Sequence, residues 1–165
     1  MHVTDFIHTY PFATSRNLAD EVIHHYHTNG EWNQSSFSTS DGISPRTNDR
    51  VDMKEYWINK QDKFYEELKT GFRGMVDDYI KTHTKIIPQS FTPFRMNHYT
   101  KGGFMKNHID NIHHSHGQQY GYPHLTSLIF LNDEYDGGDF VLCNGKFVAP
   151  KQQGSAVVFP SNFMY

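Results

Sequence analysis

His108-Ile109-Asp110 is the segment of this sequence best suited to chemistry. Residues two apart on an extended chain project to the same side, so an imidazole and a carboxylate in this spacing can grip one metal ion together. The pattern alone carries little weight, because a chain of 165 residues with 12 His and 18 acidic residues should contain about 1.3 His-x-acid pairs by chance. Its surroundings give it meaning. Tyr99 lies nine residues upstream, at the end of an expected strand in which Arg95, Asn97 and Tyr99 share one face and Phe94, Met96 and His98 the other. Gly102-Gly103 then supplies a turn. Downstream come Phe130-Leu131-Asn132-Asp133, Gly137-Gly138-Asp139-Phe140, Pro150 with Gly154, and Phe159-Pro160.

The elements that must position these residues change character along the chain. Ser15 is an expected N-cap for a helix to about His27, with Leu18, Val22 and Tyr26 at spacings of four and Asn29-Gly30 as the stop. A longer helix is expected over about Asn59 to Thr82, where Phe64, Leu68, Phe72, Met75 or Val76, and Tyr79 form one apolar stripe. Those aromatics read as core packing. Between the helices, Ser35 to Asp52 is polar, with Gly42 and Pro45, and reads as a loop or weakly paired edge strands. After Pro88 the expected strands are Phe94 to Thr100, Leu125 to Leu131, Phe140 to Leu142, Lys146 to Val148, and Ser155 to Phe159. Leu125 to Leu131, apolar on both faces toward its end, reads as a central strand. Helices followed by short strands indicate a sheet sandwich or barrel buttressed by helices, an α+β chain that is mainly β.

Composition narrows the classes of function. A net charge of -3, from 15 basic and 18 acidic residues, provides no field to attract a polyanion, so no nucleic-acid partner is expected. The single cysteine, Cys143, cannot make an internal disulfide and excludes zinc fingers, which fits a reducing compartment. No targeting segment and no run of about 20 apolar residues is present, so a cytoplasmic protein without membrane attachment is expected.

In this order and spacing the motifs resemble the 2-oxoglutarate and Fe(II)-dependent dioxygenases of the prolyl 4-hydroxylase type, particularly small versions encoded by tailed bacteriophages. The likeness runs over roughly residues 94 to 165. It implies a double-stranded β-helix, a cupin-like jelly-roll barrel, within one domain spanning 1–165. Residues 1–88 would form a helical support region with edge strands, and 89–165 the barrel core. His108 and Asp110 match the first two iron ligands of the family. Two imidazoles and a carboxylate on one face of Fe(II) keep adjacent positions open for 2-oxoglutarate and O2. The implied reaction hydroxylates an aliphatic carbon, with a prolyl residue in a peptide or protein as leading substrate and succinate and CO2 as coproducts. Ascorbate is an optional reductant, and a phage-encoded protein would act in the host cytoplasm.

Tyr99 matches a tyrosine that binds the cosubstrate carboxylate; read without the family, it also fits a sheet tyrosine with its hydroxyl at a wet rim. Gly137-Gly138 matches a turn, and Phe140 stands where relatives often carry Thr, which removes a hydroxyl contact to cosubstrate. The family's distal His and its basic carboxylate anchor would follow Tyr165. Because Phe163-Met164-Tyr165 is apolar and missing last strands would leave unpaired edges, the sequence predicts a natural chain that continues. The other reading is a shortened domain with an incomplete iron site.

Other residues read more plainly. His113, His114 and His116 fit a solvated loop that could line the substrate entrance, and His98 and His124 have no argued path to the metal. Arg95 fits an exposed strand arginine, although its shared face with Tyr99 would let it approach a carboxylate. His24, His25 and His27 fit an exposed helix face, where His24 and His27 could hold a surface metal. The alternative function is a non-catalytic jelly-roll binding or virion-associated module. Repair demethylation of nucleic acid by the same chemistry is disfavoured by the charge. The sequence does not address oligomeric state.

Overall fold

A computed structural model describes residues 2–36, 49–110 and 123–163. The fold is mostly β, with two helices and antiparallel sheets. A 3-10 turn (Val3–Phe6) leads into β1 (His8–Tyr10), α1 (Arg16–Asn29), β2 (Asn33–Gln34), β3 (Val51–Asp52), β4 (Lys54–Ile58) and α2 (Tyr65–Thr82). There follow β5 (Phe94–His98), β6 (Phe104–Met105), β7 (Leu125–Ile129), β8 (Val141–Leu142), β9 (Phe147–Val148) and β10 (Ala156–Pro160). Among the described residues the strands form sheets ordered β1-β10-β7 and β2-β4-β5, with the pairs β3-β6 and β8-β9.

The helices form for the reasons their sequences suggest. The Ser15 side chain accepts a hydrogen bond from the Leu18 amide at 3.1 Å, capping α1. The buried face of α1 is Ala19, Val22 and Tyr26, of which Val22 and Tyr26 meet Phe64, Tyr65 and Leu68 around α2 and Ile58 and Phe94 in the sheet. α2 begins at Tyr65, later than its periodicity implies, because Asp62 turns the chain first. Its carboxylate accepts from the Asn59 amide at 2.7 Å and its carbonyl from the Tyr65 amide at 3.1 Å.

Two features of the sheets depart from expectation. Strands β1 and β4 precede the helix that follows each of them, and β4 is central in its sheet. Its residues Lys-Glu-Tyr-Trp-Ile carry charge at one end and bulk at the other, so no clean alternation announced a strand. β7, expected to be central, pairs only with β10 among the described strands. It is apolar on both sides because Leu125 and Ile129 pack on the Met75–Tyr79 cluster while Leu128 packs on the Leu142–Phe159 cluster. The central strand is β10, whose residues Ala156 to Phe159 are almost wholly buried. Alternate residues of β10 serve two cores: Val157 and Phe159 one, Ala156 and Val158 the other.

Gly154 sets β10 in place. It has φ +83°, its amide donates to the Phe130 carbonyl at 2.8 Å, and its own carbonyl accepts from the Ala13 and Thr14 amides at 2.8 and 3.2 Å. A Cβ there would lie 2.5 Å from the Thr14 carbonyl oxygen. Gly154→Ala is therefore expected to destabilise the fold by about 1–3 kcal/mol or more, read as a fall in urea midpoint with unchanged slope. An unchanged midpoint would show that the turn relaxes at no cost.

Candidate metal centre

β6 pairs with β3 in the register Val51↔Met105, and the Lys106 amide continues the ladder by donating to the Arg50 carbonyl at 2.8 Å. This anchor delivers His108 two residues later into a buried position, 9% exposed. The imidazole Nδ1 lies 3.0 Å from the Lys106 carbonyl oxygen. A carbonyl only accepts, so Nδ1 carries the proton and donates, and Nε2 keeps its lone pair. That tautomer is the metal-binding one, with the ring turned by a backbone partner.

Nε2 faces Asp110, 3.6 Å from Oδ1. One first-row ion at the usual bond lengths of about 2.0–2.2 Å reaches both atoms. The other carboxylate oxygen, Oδ2, accepts a 2.7 Å hydrogen bond from the Thr126 hydroxyl on β7. Thr126 in turn lies 3.0 Å from the hydroxyl of Ser161, which is 0% exposed and follows β10. The Ser161 amide donates to the His124 carbonyl at 3.1 Å, so the end of β10 is fastened to the start of β7 beneath the carboxylate. A buried, pre-oriented imidazole beside a hydrogen-bonded carboxylate is a donor set that fits a divalent first-row cation.

Further candidates belong to a different sheet, whose polar wall is the face of β4-β5 turned away from α1. The register Glu55↔Asn97 and Trp57↔Arg95 places these four residues together. Arg95 approaches a carboxylate, but that of Glu55, at 3.8 Å, and its guanidinium lies 5.9 Å from the centre of the Trp57 ring. Glu55 also accepts from Ser35 at 2.8 Å and from the Trp57 indole at 3.3 Å. Tyr99 follows this strand, 44% exposed; partial burial raises its phenol above the ordinary value and the Arg95 charge pulls it part of the way back. Asn97, between Arg95 and Tyr99 on this face, has a buried side-chain oxygen with no hydrogen-bond partner.

Other sequence candidates fall elsewhere. His98 is on the opposite face, packed on Trp32 and near His27, with ring centroids 5.4 and 5.7 Å away. His24 and His27 are exposed, His25 packs edge-on against Phe64, and His124 is exposed. His113, His114 and His116 lie outside the described residues, and no cluster of three or more His, Cys, Asp or Glu suited to a metal occurs among the described ones. Gly102, Gly137 and Gly138 all take positive φ, as turn glycines should. Sequence reasoning missed Thr126, Ser161 and Asn97, since isolated hydroxyls and amides have no spacing rule; only pairing of β7 with β10 makes the first two neighbours.

An orphaned buried amide costs about 1–3 kcal/mol in the empty protein. Asn97→Leu, similar in volume, is accordingly expected to leave the melting temperature unchanged or raise it. A large fall would mean that the amide is paired in solution.

Comparison with known proteins shows a family likeness over part of the chain and a fold likeness over nearly all of it. Residues 94–165 match the family model of the 2OG-Fe(II) oxygenase superfamily. The whole chain shares the fold of three solved prolyl hydroxylases. A Pseudomonas putida prolyl-4-hydroxylase superposes with TM-score 0.70 at 13% identity, over 98% of this chain and 86% of that one. A Trichoplax adhaerens prolyl hydroxylase, solved with a hypoxia inducible factor oxygen degradation domain peptide, gives 0.72 at 17% identity over 98% and 76%. The viral collagen prolyl hydroxylase of Paramecium Bursaria Chlorella virus-1, solved as a 2OG complex, gives 0.65 at 13% identity over 99% and 90%. No curated protein sequence matches significantly. No helix among the described residues is long and apolar enough to cross a membrane.

Proposed function

We propose that this chain, whose residues 94–165 match the family model of the 2OG-Fe(II) oxygenase superfamily, is a dioxygenase of that superfamily that hydroxylates a prolyl residue of a peptide or protein. The observation that carries the reading is the His108–Asp110 pair, with donor atoms 3.6 Å apart and both side chains oriented from behind by hydrogen bonds. On this reading the antiparallel sheets are the two halves of a double-stranded β-helix, and the metal pair stands at its open end. The Trichoplax protein of similar fold was solved with a hypoxia inducible factor peptide, which supports a peptide or protein substrate here.

His108 and Asp110 would hold Fe(II) through Nε2 and Oδ1. The bound metal, with 2-oxoglutarate and O2, supplies the oxidising power for C–H hydroxylation, with succinate and CO2 as coproducts. The chain's own residues do the rest. Lys106 fixes the imidazole tautomer through its carbonyl, and the Thr126 hydroxyl fixes the carboxylate. Tyr99 presents a phenol, protonated at neutral pH as any tyrosine is, that would donate to a carboxylate of the cosubstrate. Asn97 Oδ1, an acceptor left unpaired in the empty protein, would be satisfied by a donor such as a peptide N–H of the substrate. Arg95, held by Glu55 and stacked near Trp57, keeps a positive charge at that wall.

The test is to add Fe(II) and 2-oxoglutarate anaerobically to the full-length protein and record the visible charge-transfer band of the chelated complex. Turnover is then followed as succinate release and as a 16 Da gain on proline-containing peptides. Asp110→Ala and His108→Ala are expected to remove band and turnover while circular dichroism stays that of the wild type. Tyr99→Phe should raise the 2-oxoglutarate requirement by about 10-fold, the worth of one hydrogen bond, with iron affinity little changed. A wild-type protein that shows no band would reject the enzyme and leave a jelly-roll binding module.

A further inference from the structure

Thr126 lies on β7 and Ser161 directly follows β10, the neighbouring strand, and their hydroxyls meet under Asp110. Thr126 has one hydroxyl proton. Because a carboxylate can only accept, that proton belongs to the 2.7 Å bond to Asp110 Oδ2. The 3.0 Å contact between the two hydroxyls must then use the Ser161 proton, donated to Thr126 Oγ1. Ser161 has no exposure to solvent, so water does not compete for it. The result is a directed series, Ser161 to Thr126 to Asp110, ending on the carboxylate oxygen other than the one nearest His108 Nε2.

A carboxylate can bind a cation through one oxygen or through both. Engaging Oδ2 in a short charge-assisted bond biases it toward one. Each hydroxyl has a single proton and a single rotor, so fixing both removes the torsional freedom by which the carboxylate would swing its second oxygen onto the ion. One-oxygen binding matters here because every coordination position the protein does not use is available to cosubstrate and oxygen. We infer that the Thr126 and Ser161 hydroxyls act in series as positioning groups that hold Asp110 as a one-oxygen metal ligand. This rests on the metal reading of His108 and Asp110 given above.

Mn(II), redox-stable in air, is the probe. Its affinity for the full-length protein is measured by calorimetry, and its electron paramagnetic resonance spectrum reports the ligand geometry. Thr126→Val keeps shape and removes the donor. It is expected to weaken Mn(II) binding about 10- to 100-fold and to alter the spectrum, with the circular dichroism unchanged. Thr126→Ser, which restores the hydroxyl, should return within about threefold of wild type. Ser161→Ala should cost less than Thr126→Val, and the double variant no more than Thr126→Val alone, because groups in series are not additive.

Wild-type affinity and spectrum in Thr126→Val would overturn the inference, as would equal losses in the Val and Ser variants or additive losses in the double variant. If Thr126→Val does not fold, Ser161→Ala decides alone: an unchanged spectrum and affinity defeat the series. Failure of the underlying reading looks different. There the wild type binds no Mn(II), or Asp110→Ala binds it as well as wild type does, and the inference falls with it.

Discussion

The pairing of β10 with β7 is the constraint on which the rest of the molecule depends. β10 is hydrogen-bonded on both edges, to β1 and to β7, and buried on both faces, so it has no side left for solvent. A strand with Val157, Val158 and Phe159 at zero exposure contributes about 1.5–3 kcal/mol for each large side chain removed from water. That burial is spent on fixing a register, Pro160↔Leu125 through Ala156↔Ile129. A slip by one residue would turn each side chain toward the wrong core. The same register sets Ser161 beside Thr126, and so the arrangement beneath Asp110 is a by-product of core packing.

The second sheet works under a different constraint. On β4-β5 one face is apolar, with Ile58, Phe94 and Met96 against the helices. The other collects Glu55, Trp57, Arg95 and Asn97, a group with no packing reason to be polar. Glu55 accepts hydrogen bonds from Ser35 and Trp57 and pairs its charge with the Arg95 guanidinium at 3.8 Å. Asn97 stands out because everything around it is satisfied. Its orphaned atom is the amide oxygen, an acceptor, so the group that would satisfy it is a hydrogen-bond donor.

Much of this was legible in the sequence, and unevenly so. α1 was readable to within a residue or two because cap, stripe and stop agree: Ser15 caps it, Val22 and Tyr26 are buried, and Gly30 ends it. The later strands were readable from short β-branched runs, and each lies close to its expected place. β4 was not, since Tyr56 and Trp57 are consecutive bulky residues that belong to opposite faces, and a strand with both faces occupied shows no alternation. β7 looked central for the same reason inverted: two cores flank it, and apolarity on two faces does not report hydrogen bonding on two edges. Of the site, His108, Asp110 and Tyr99 could be named because their spacing has a rule. Thr126 and Ser161 are 35 residues apart, and no pattern in one dimension joins them.

The two proposed metal ligands differ in what holds them. His108 is oriented by the carbonyl of Lys106, two residues away, so its tautomer is set by local backbone and survives small movements of the rest of the fold. Asp110 is oriented by hydroxyls that arrive from β7 and the end of β10, so its position is set by long-range assembly. Loosening of the β1-β10-β7 sheet therefore disturbs the carboxylate first and leaves the imidazole in place. In energetic terms the affinity for a cation is linked to the stability of that sheet, because an ion that binds only the ordered pair stabilises the register that orders it. The core and the proposed metal pair are thus joined through the buried oxygen of Ser161.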